Sequence, residues 1–278
     1  MSAFGPRLRD ALLTSRRAGI RGVGASSLLR GDGYEFAELR GYVDGDDPRR
    51  IDWAATARAG ELQTRVVLEE RALLLAVALD ASSSMHVGRT RSQYELACDA
   101  AALWYSAATD DDRCARIGTR ALVLRDRRGR AGAAACAAQR EAAGGAFPAA
   151  LTLALAVLPR GARLLVASDF FELVQLLPLV RACAFRCDLT VLLARDPWCG
   201  DLPLRGFVRL RDAETGRAAR PFIDARARAR YRRAVDERER AACEDLREAG
   251  ARVATLDERS GAEAALADAF ALGRRPAA

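Results

Sequence analysis

Four short apolar runs, each closed by an aspartate, constrain this chain more than any other feature. They are LLLAVALD (73–80), RLLVASD (163–169), DLTVLLARD (188–196) and RVATLD (252–257). Each is shorter than a core helix and nearly unbroken, as a strand covered on both faces is. Helical spacing fills the gaps between them. Gln93 to Thr109 sets Tyr94, Ala97, Ala101, Trp104 and Tyr105 on one stripe, and Asp110–Asp112 ends it. Pro148 opens a helix over 148–158. Leu173 to Ala184 is helical, with Pro178 as an interior residue that favours a kink. Asp224 caps a long helix, 225–249, with an inner stripe of Tyr231, Ala234, Val235, Ala242 and Leu246 and a stop at Gly250. Ala262 to Leu272 is a last helix. Such alternation predicts an α/β fold, a doubly wound and mostly parallel sheet with helices on both faces. Two short strands, Arg113 to Thr119 and Ala121 to Asp126, precede a glycine- and alanine-rich connection over 127–147, and Phe207 to Ile223 resembles a hairpin around Glu214-Thr215-Gly216.

This regime begins near Leu73 and gives a domain over 73–272. Residues 1–33 form a basic, glycine-punctuated segment, with a short helix over Pro6 to Ser15. Residues 34–72 form a charged, partly extended subdomain with a turn at Gly45-Asp46-Asp47-Pro48, a short helix from Ile51 to Arg58 and a strand from Leu62 to Leu68. Its charges are Glu35, Arg40, Asp44, Asp46, Asp47, Arg49, Arg50, Asp52, Arg58, Arg65, Glu69, Glu70 and Arg71. Guanidinium forks pair with carboxylates two bonds at a time, so the expectation is an internal ion-pair lattice, with Phe36, Tyr42 and Trp53 as packing anchors.

The composition narrows the function classes. The 278 residues carry 44 basic and 37 acidic side chains, for a net charge of +7, and every basic one is arginine. The absence of lysine suggests a GC-rich coding bias and removes the Gly-Lys-Ser/Thr of a phosphate-binding loop. The basic balance admits nucleic acid or an anionic surface as partner, but the acidic residues are interspersed almost everywhere, as on a solvated, salt-bridged surface. The seven cysteines are irregularly spaced and the chain has one histidine, so zinc is not expected; buried free thiols in a reducing compartment are. No apolar run approaches the roughly 20 residues that span a bilayer. The opening residues contain no continuous apolar core of a signal peptide, so the expected location is the cytoplasm, without a transmembrane segment.

The sheet architecture selects a site. In open α/β sheets, ligands bind beyond the carboxyl ends of the strands. Asp80, Ser82 and Ser84 follow the first buried strand as Asp-x-Ser-x-Ser, and in extended chain residues two apart point the same way. One carboxylate and two hydroxyls thus share a small volume, and Asp169 closes a second apolar strand. Hard divalent cations take oxygen ligands in this manner, Mg²⁺ keeping several waters and an open position for a partner's carboxylate.

The block GDGYEFAELRGYVDGDDPRRIDWAATARAGELQTRVVLEER, just upstream, closely resembles the signature of the domain-of-unknown-function 58 family. The resemblance covers Arg21 to Ser84 strongly and runs more loosely to Asp257. It implies a von Willebrand factor A-like domain and a metal-ion-dependent adhesion site with Asp80, Ser82 and Ser84 on its first motif and Asp169 on its later aspartate. It also implies a non-enzymatic adaptor or chaperone-like partner of a MoxR-type AAA+ ATPase, acting in the assembly or maturation of a client complex. One element departs from the family pattern. Where a Gly-Gly-Thr-Asp-like turn is usual, this chain reads Gly144-Gly145-Ala146-Phe147-Pro148. Ala146 offers no hydroxyl, so binding of Mg²⁺ is expected to be weakened and the site degenerate.

Two other readings compete. Consecutive serines near His86 suggest a hydrolase, but Gly-x-Ser-x-Gly is absent and residues so close in sequence rarely form a nucleophile–base pair, so no enzyme is expected. Arg226, Arg228, Arg230, Arg232 and Arg233 crowd the start of the long helix, where cations are disfavoured. They support the alternative of a basic protein that binds nucleic acid or an anionic surface without metal.

Overall fold

The computed structural model describes residues 4–14, 34–43, 48, 51–69, 72–119, 124–196, 198 and 204–272. Several expectations lie outside the described residues: the basic stretch 15–33, the turn residues 45–47, the charges at Asp44, Asp46, Asp47, Arg49, Arg50, Glu70 and Arg71, and Cys199. The side chains of Glu35, Phe36, Arg40, Arg65 and Glu69 lie outside them too. The chain forms two compact units, residues 21–72 as one and residues 1–20 with 73–278 as the other.

In the smaller unit, β1 (Tyr34–Gly41) pairs antiparallel with β2 (Gln63–Glu69), with an irregularity between Phe36 and Glu38. Between them lies α2 (Trp53–Ala59), which starts where Asp52 Oδ1 accepts from the Ala55 N–H at 2.9 Å and stops at Gly60, whose φ of 75° suits glycine. Trp53 is 69% exposed, so it is no packing anchor in this structure.

In the larger unit, α1 (Phe4–Thr14) buries Phe4, Leu8 and Leu12. An isolated helix this short is marginal in water. Each buried leucine contributes about 2 kcal/mol, which offsets that deficit. The helix sits against the end of α3 (Gln93–Tyr105) so closely that a Cβ at Gly5 would lie 2.5 Å from the Ser106 carbonyl oxygen. This helix therefore belongs with the large unit and not with a separate basic segment.

The central sheet has six strands in the order β12-β7-β6-β3-β4-β5. They are β3 (Leu74–Leu79), β4 (Arg113–Ile117), β5 (Leu124–Arg128), β6 (Arg163–Ser168), β7 (Asp188–Ala194) and β12 (Arg252–Leu256). Every neighbouring pair is parallel except β4–β5. Helices cover both faces, and β3 shows why its sequence lacks polar alternation. Leu75, Val77 and Leu79 enter a core shared with α1, α3, α4 (Gly129–Ala137) and α8 (Gly261–Ala269). Leu74, Ala76 and Ala78 enter a second core, under α5 (Phe147–Val157), α6 (Leu173–Arg186) and α7 (Ala225–Glu248).

Three expectations change. The connection over 127–147 contains α4. Alanine is the strongest helix former, and the glycines that read as loop punctuation mark close approaches instead, since a Cβ at Gly132 would meet the Arg127 Cβ at 2.6 Å. Helix α3 ends at Tyr105 rather than Thr109. The inner stripe of α7 begins at Val235, with Ala234 and Tyr231 exposed, so the arginine-rich first turns carry no buried residue. The hairpin over 206–223 is present, as β8 (Gly206–Phe207) with β11 (Phe222–Ile223) and β9 (Leu210–Arg211) with β10 (Ala218–Ala219).

At the N-terminal rim of the sheet, carboxylates meet arginines. Asp188, which starts β7, pairs with Arg252 and, at 3.2 Å, with Arg163. Asp112, just before β4, has no exposed side-chain surface and pairs with Arg9 of α1. It also accepts from the Leu73 N–H at 2.6 Å, the Thr109 N–H at 2.7 Å and the Thr109 hydroxyl at 2.9 Å.

Candidate functional site

Strands β3 and β6 are parallel neighbours, with Leu79 opposite Ala167, so their C-terminal tips share one rim. The Asp80 N–H donates to the Ala167 carbonyl at 2.9 Å, which continues the ladder one residue past the strand. Beyond the tips, the chain from β3 leads to α3 on one face and the chain from β6 leads to α6 on the other. Divergence of two such connections marks the point of an open α/β sheet where ligands bind.

Asp80 is buried there, at 6% exposure. Its Oδ1 accepts from the Ser82 N–H at 2.8 Å, and its Oδ2 accepts from the Ser168 hydroxyl at 2.6 Å. That hydroxyl in turn accepts from the Phe170 N–H at 3.0 Å. Phe170 adopts a left-handed φ of 47°, uncommon for a bulky residue. It is held by burial and by an edge-on contact with Phe147 at 6.1 Å between centroids. Backbone strain of this kind costs roughly 1–3 kcal/mol and concentrates at functional sites. The hydroxyls of Ser82 and Ser84 lie 3.1 Å apart. Asp169 is half-buried, and its Oδ1 accepts from the Phe171 N–H at 3.0 Å.

Burial raises the Asp80 carboxyl above the usual aspartate range, the hydrogen bonds from Ser168 and Ser82 oppose that shift, and the charge of Asp169 adds to it. At the tip of β7, burial also raises Asp196, again with the charge of Asp169 adding, while the Trp198 N–H, which donates to its Oδ1 at 2.9 Å, and the charge of Arg238 oppose the shift. Asp80, Asp169 and Asp196 are thus electrostatic neighbours across three adjacent strands. Asp196 was not among the residues selected from sequence, although its signal is the same: an apolar strand closed by an aspartate. Among the described residues, none of the three forms an ion pair with an arginine.

The turn before α5 docks beside this loop. The Gly144 N–H donates to the Ala81 carbonyl at 2.7 Å, and the Ala146 N–H donates to the Thr119 carbonyl at 2.9 Å. Ala146 is the N-cap of α5, without a side-chain cap. The start of α5 therefore lacks the side-chain acceptor that a threonine at this position would supply.

The donor set of Asp80, Asp169, Ser82 and Ser84 suits a hard cation, since it offers carboxylate oxygens and hydroxyls and no thiolate. The Asp80 carboxylate accepts from the Ser168 hydroxyl and from both the amide and the hydroxyl of Ser82, which leaves lone-pair capacity on its oxygens. Among the described residues, no group of three or more His, Cys, Asp or Glu side chains is placed to hold a metal. An ion here would draw on Asp80, Asp169, the hydroxyls of Ser82 and Ser84, and water. The described cysteines are free, and burial pushes Cys114 and Cys183 up to about 12, so at neutral pH they are thiols and poor metal ligands. The His86 ring stacks on Tyr94, with centroids 4.7 Å apart. No helix among the described residues is long and apolar enough to cross a membrane.

The profile of a family described as "Protein of unknown function DUF58" matches residues 38–241. Uncharacterized proteins of Mycobacterium tuberculosis and Mycobacterium bovis are 29% identical to the chain over 242 residues, covering 82% of this chain and 76% of each relative. A crystal structure of the conserved hypothetical protein BatB from Bacteroides thetaiotaomicron superposes with a TM-score of 0.46 at 15% identity, covering 72% of this chain and 97% of that one.

Proposed function

The chain belongs to the DUF58 family, and from that premise we propose that it is a non-enzymatic protein-interaction module with a von Willebrand factor A-like large unit and a degenerate metal-ion-dependent adhesion site. The observation that carries this reading is the buried Asp80 carboxylate with the charge of Asp169 beside it, held by hydroxyls and an amide and, among the described residues, in no ion pair with an arginine. Burying a carboxylate without a cationic partner is costly, and a bound Mg²⁺ removes that cost. Asp80 and Asp169 supply the charge for the ion, and Ser82 and Ser84 supply neutral oxygens. When bound, the ion provides a positive centre that attracts an acidic side chain. The loop around Asp80 is held in shape by Ser168 and the Gly144 amide, so it needs little rearrangement. Ala146 contributes no oxygen, and the affinity is correspondingly low. The partner in this reading is a MoxR-type AAA+ ATPase acting on a client complex in the cytoplasm, which rests on the family resemblance.

Calorimetric titration with Mg²⁺ and Mn²⁺ tests the site. Saturable uptake by the wild type, abolished in Asp80→Ala, is expected; the absence of uptake at millimolar ion overturns the metal. Binding of a MoxR-type ATPase from the same genome tests the partner. Saturable binding weakened by Asp80→Ala is expected, and binding indifferent to that substitution places the contact elsewhere.

A further inference from the structure

We infer that Glu214 is the chain's own occupant of a carboxylate-receiving subsite on the Ser82–Ser84 loop, and that the partner received by this face presents an acidic side chain that displaces it. The inference deepens the interaction-module reading and rests on its choice of rim, but not on the ion.

The Ser84 N–H donates to Glu214 Oε1 at 2.7 Å, across 130 residues of chain. A bond from a backbone amide to a carboxylate is charge-assisted and among the stronger kinds. Among the described residues, it is the one hydrogen bond that ties the 206–223 hairpin to the rim. It also lies beside the hydroxyls of Ser82 and Ser84, so the carboxylate stands where an incoming acidic group would meet the candidate site.

The tip is built to present this residue. Asp212 Oδ1 accepts from the N–H groups of Glu214 and Thr215, at 3.0 and 2.6 Å, and from the Thr215 hydroxyl at 2.9 Å. The Gly216 N–H closes the turn on the Asp212 carbonyl at 3.0 Å, with a φ of 68° that favours glycine. The arms, by contrast, are lightly held. They pair over two residues at a time, and their edge-on aromatics, Phe207 and Phe222, are 83% and 58% exposed. A hairpin whose tip has so little burial gains little stability of its own, and the Glu214 contact helps hold that tip at the rim.

Charge identifies the partner's chemistry. Arg205, Arg209, Arg211, Arg217 and Arg220 are exposed along the hairpin, against Asp212 and Glu214. An acidic segment approaching the tip is attracted by these arginines while one of its carboxylates competes for the Ser84 amide.

The test is amide NMR on the whole ¹⁵N-labelled chain, following Ser84 during titration with sodium acetate and then with an acidic peptide or its glutamine-substituted counterpart. In Glu214→Ala, the Ser84 amide should shift saturably at an acetate concentration at least about tenfold below that needed for the wild type, because a tethered competitor has been removed. Asp212→Ala, which loosens the tip while keeping the carboxylate, should fall between them. The acidic peptide should act like acetate, and its glutamine counterpart should not. Superimposable acetate curves for wild type and Glu214→Ala, or no saturable response of Ser84 in either, overturn the subsite. Equal responses to the two peptides overturn the acidic partner. Mg²⁺ titration of the Asp80 and Asp169 resonances reads the ion separately. If Mg²⁺ moves nothing while acetate still separates the variants, the ion fails and the subsite stands.

Discussion

The two rims of the central sheet carry the same residue type under opposite conditions. On the N-terminal rim, Asp112 and Asp188 are buried and paired with Arg9, Arg163 and Arg252. On the C-terminal rim, Asp80, Asp169 and Asp196 accept from hydroxyls and amides and, among the described residues, form no ion pair, with Arg238 acting on Asp196 only through its charge; burial raises Asp80 and Asp196. The chain has arginine in abundance, so the contrast is not a shortage of cations. The first rim is internally neutralised and clamps strand starts together. The second keeps a charge deficit that something from outside the fold can fill. Aspartates on a sheet therefore divide by their counter-ions, not by their burial.

Substitutions on the first rim should be the most damaging. Asp112→Ala leaves three donors and a guanidinium without their acceptor, and about 4 kcal/mol of unfolding free energy should be lost in urea titrations. A loss below about 1 kcal/mol would break the contrast. Asp188→Ala strands two arginines, each partly solvated, and should cost about 3 kcal/mol by the same measurement.

Asp80→Asn should change stability by only about 1 kcal/mol, because no ion pair is broken, the amide oxygen can accept from the Ser82 N–H, and the bond to the Ser168 hydroxyl can reverse so that the amide donates. Metal uptake should nonetheless disappear. The pH dependence sharpens this point. The folded protein holds the Asp80 proton more tightly than the unfolded chain does. The stability from this group is therefore complete below its ordinary value of 3.8 and is lost as pH rises through the raised value. Relative to Asp80→Asn, the wild type should gain stability as pH falls from neutral into the carboxylate range. Parallel denaturation curves for the two proteins would contradict it. The smallest effect is expected for Ala146→Thr, which adds a helix cap worth about 0.5 kcal/mol and an oxygen beside the rim, seen as a slightly higher Tm and tighter Mn²⁺ binding.

Much of the fold was legible because it is written in local pattern. Unbroken apolar runs mark strands covered on both faces, and β3 is such a strand. The aspartate closing each run placed Asp80 and Asp169 on one rim, and the same signal at Asp196 was there to be used. Helix α4 escaped because its glycines read as breaks, and only three-dimensional proximity shows that Gly132 is pressed against Arg127. The contacts that decide the character of each rim were not legible at all. Arg9 finds Asp112 across 103 residues, and Glu214 finds Ser84 across 130. No periodicity or spacing encodes such pairs, since they depend on which loops the finished topology brings together.

The seat of α1 has a consequence for how the molecule is made. Phe4, Leu8 and Leu12 precede in the chain the surface that receives them, which comes from α3 and from residues 105–112 and is synthesised much later. Nascent chain must wait with an amphipathic helix unsatisfied, and the intervening small unit can complete its own hairpin meanwhile. A gene trimmed to begin at Leu73 would keep every strand of the central sheet and still lay bare the apolar surface that Phe4, Leu8 and Leu12 cover, with Asp112 deprived of Arg9.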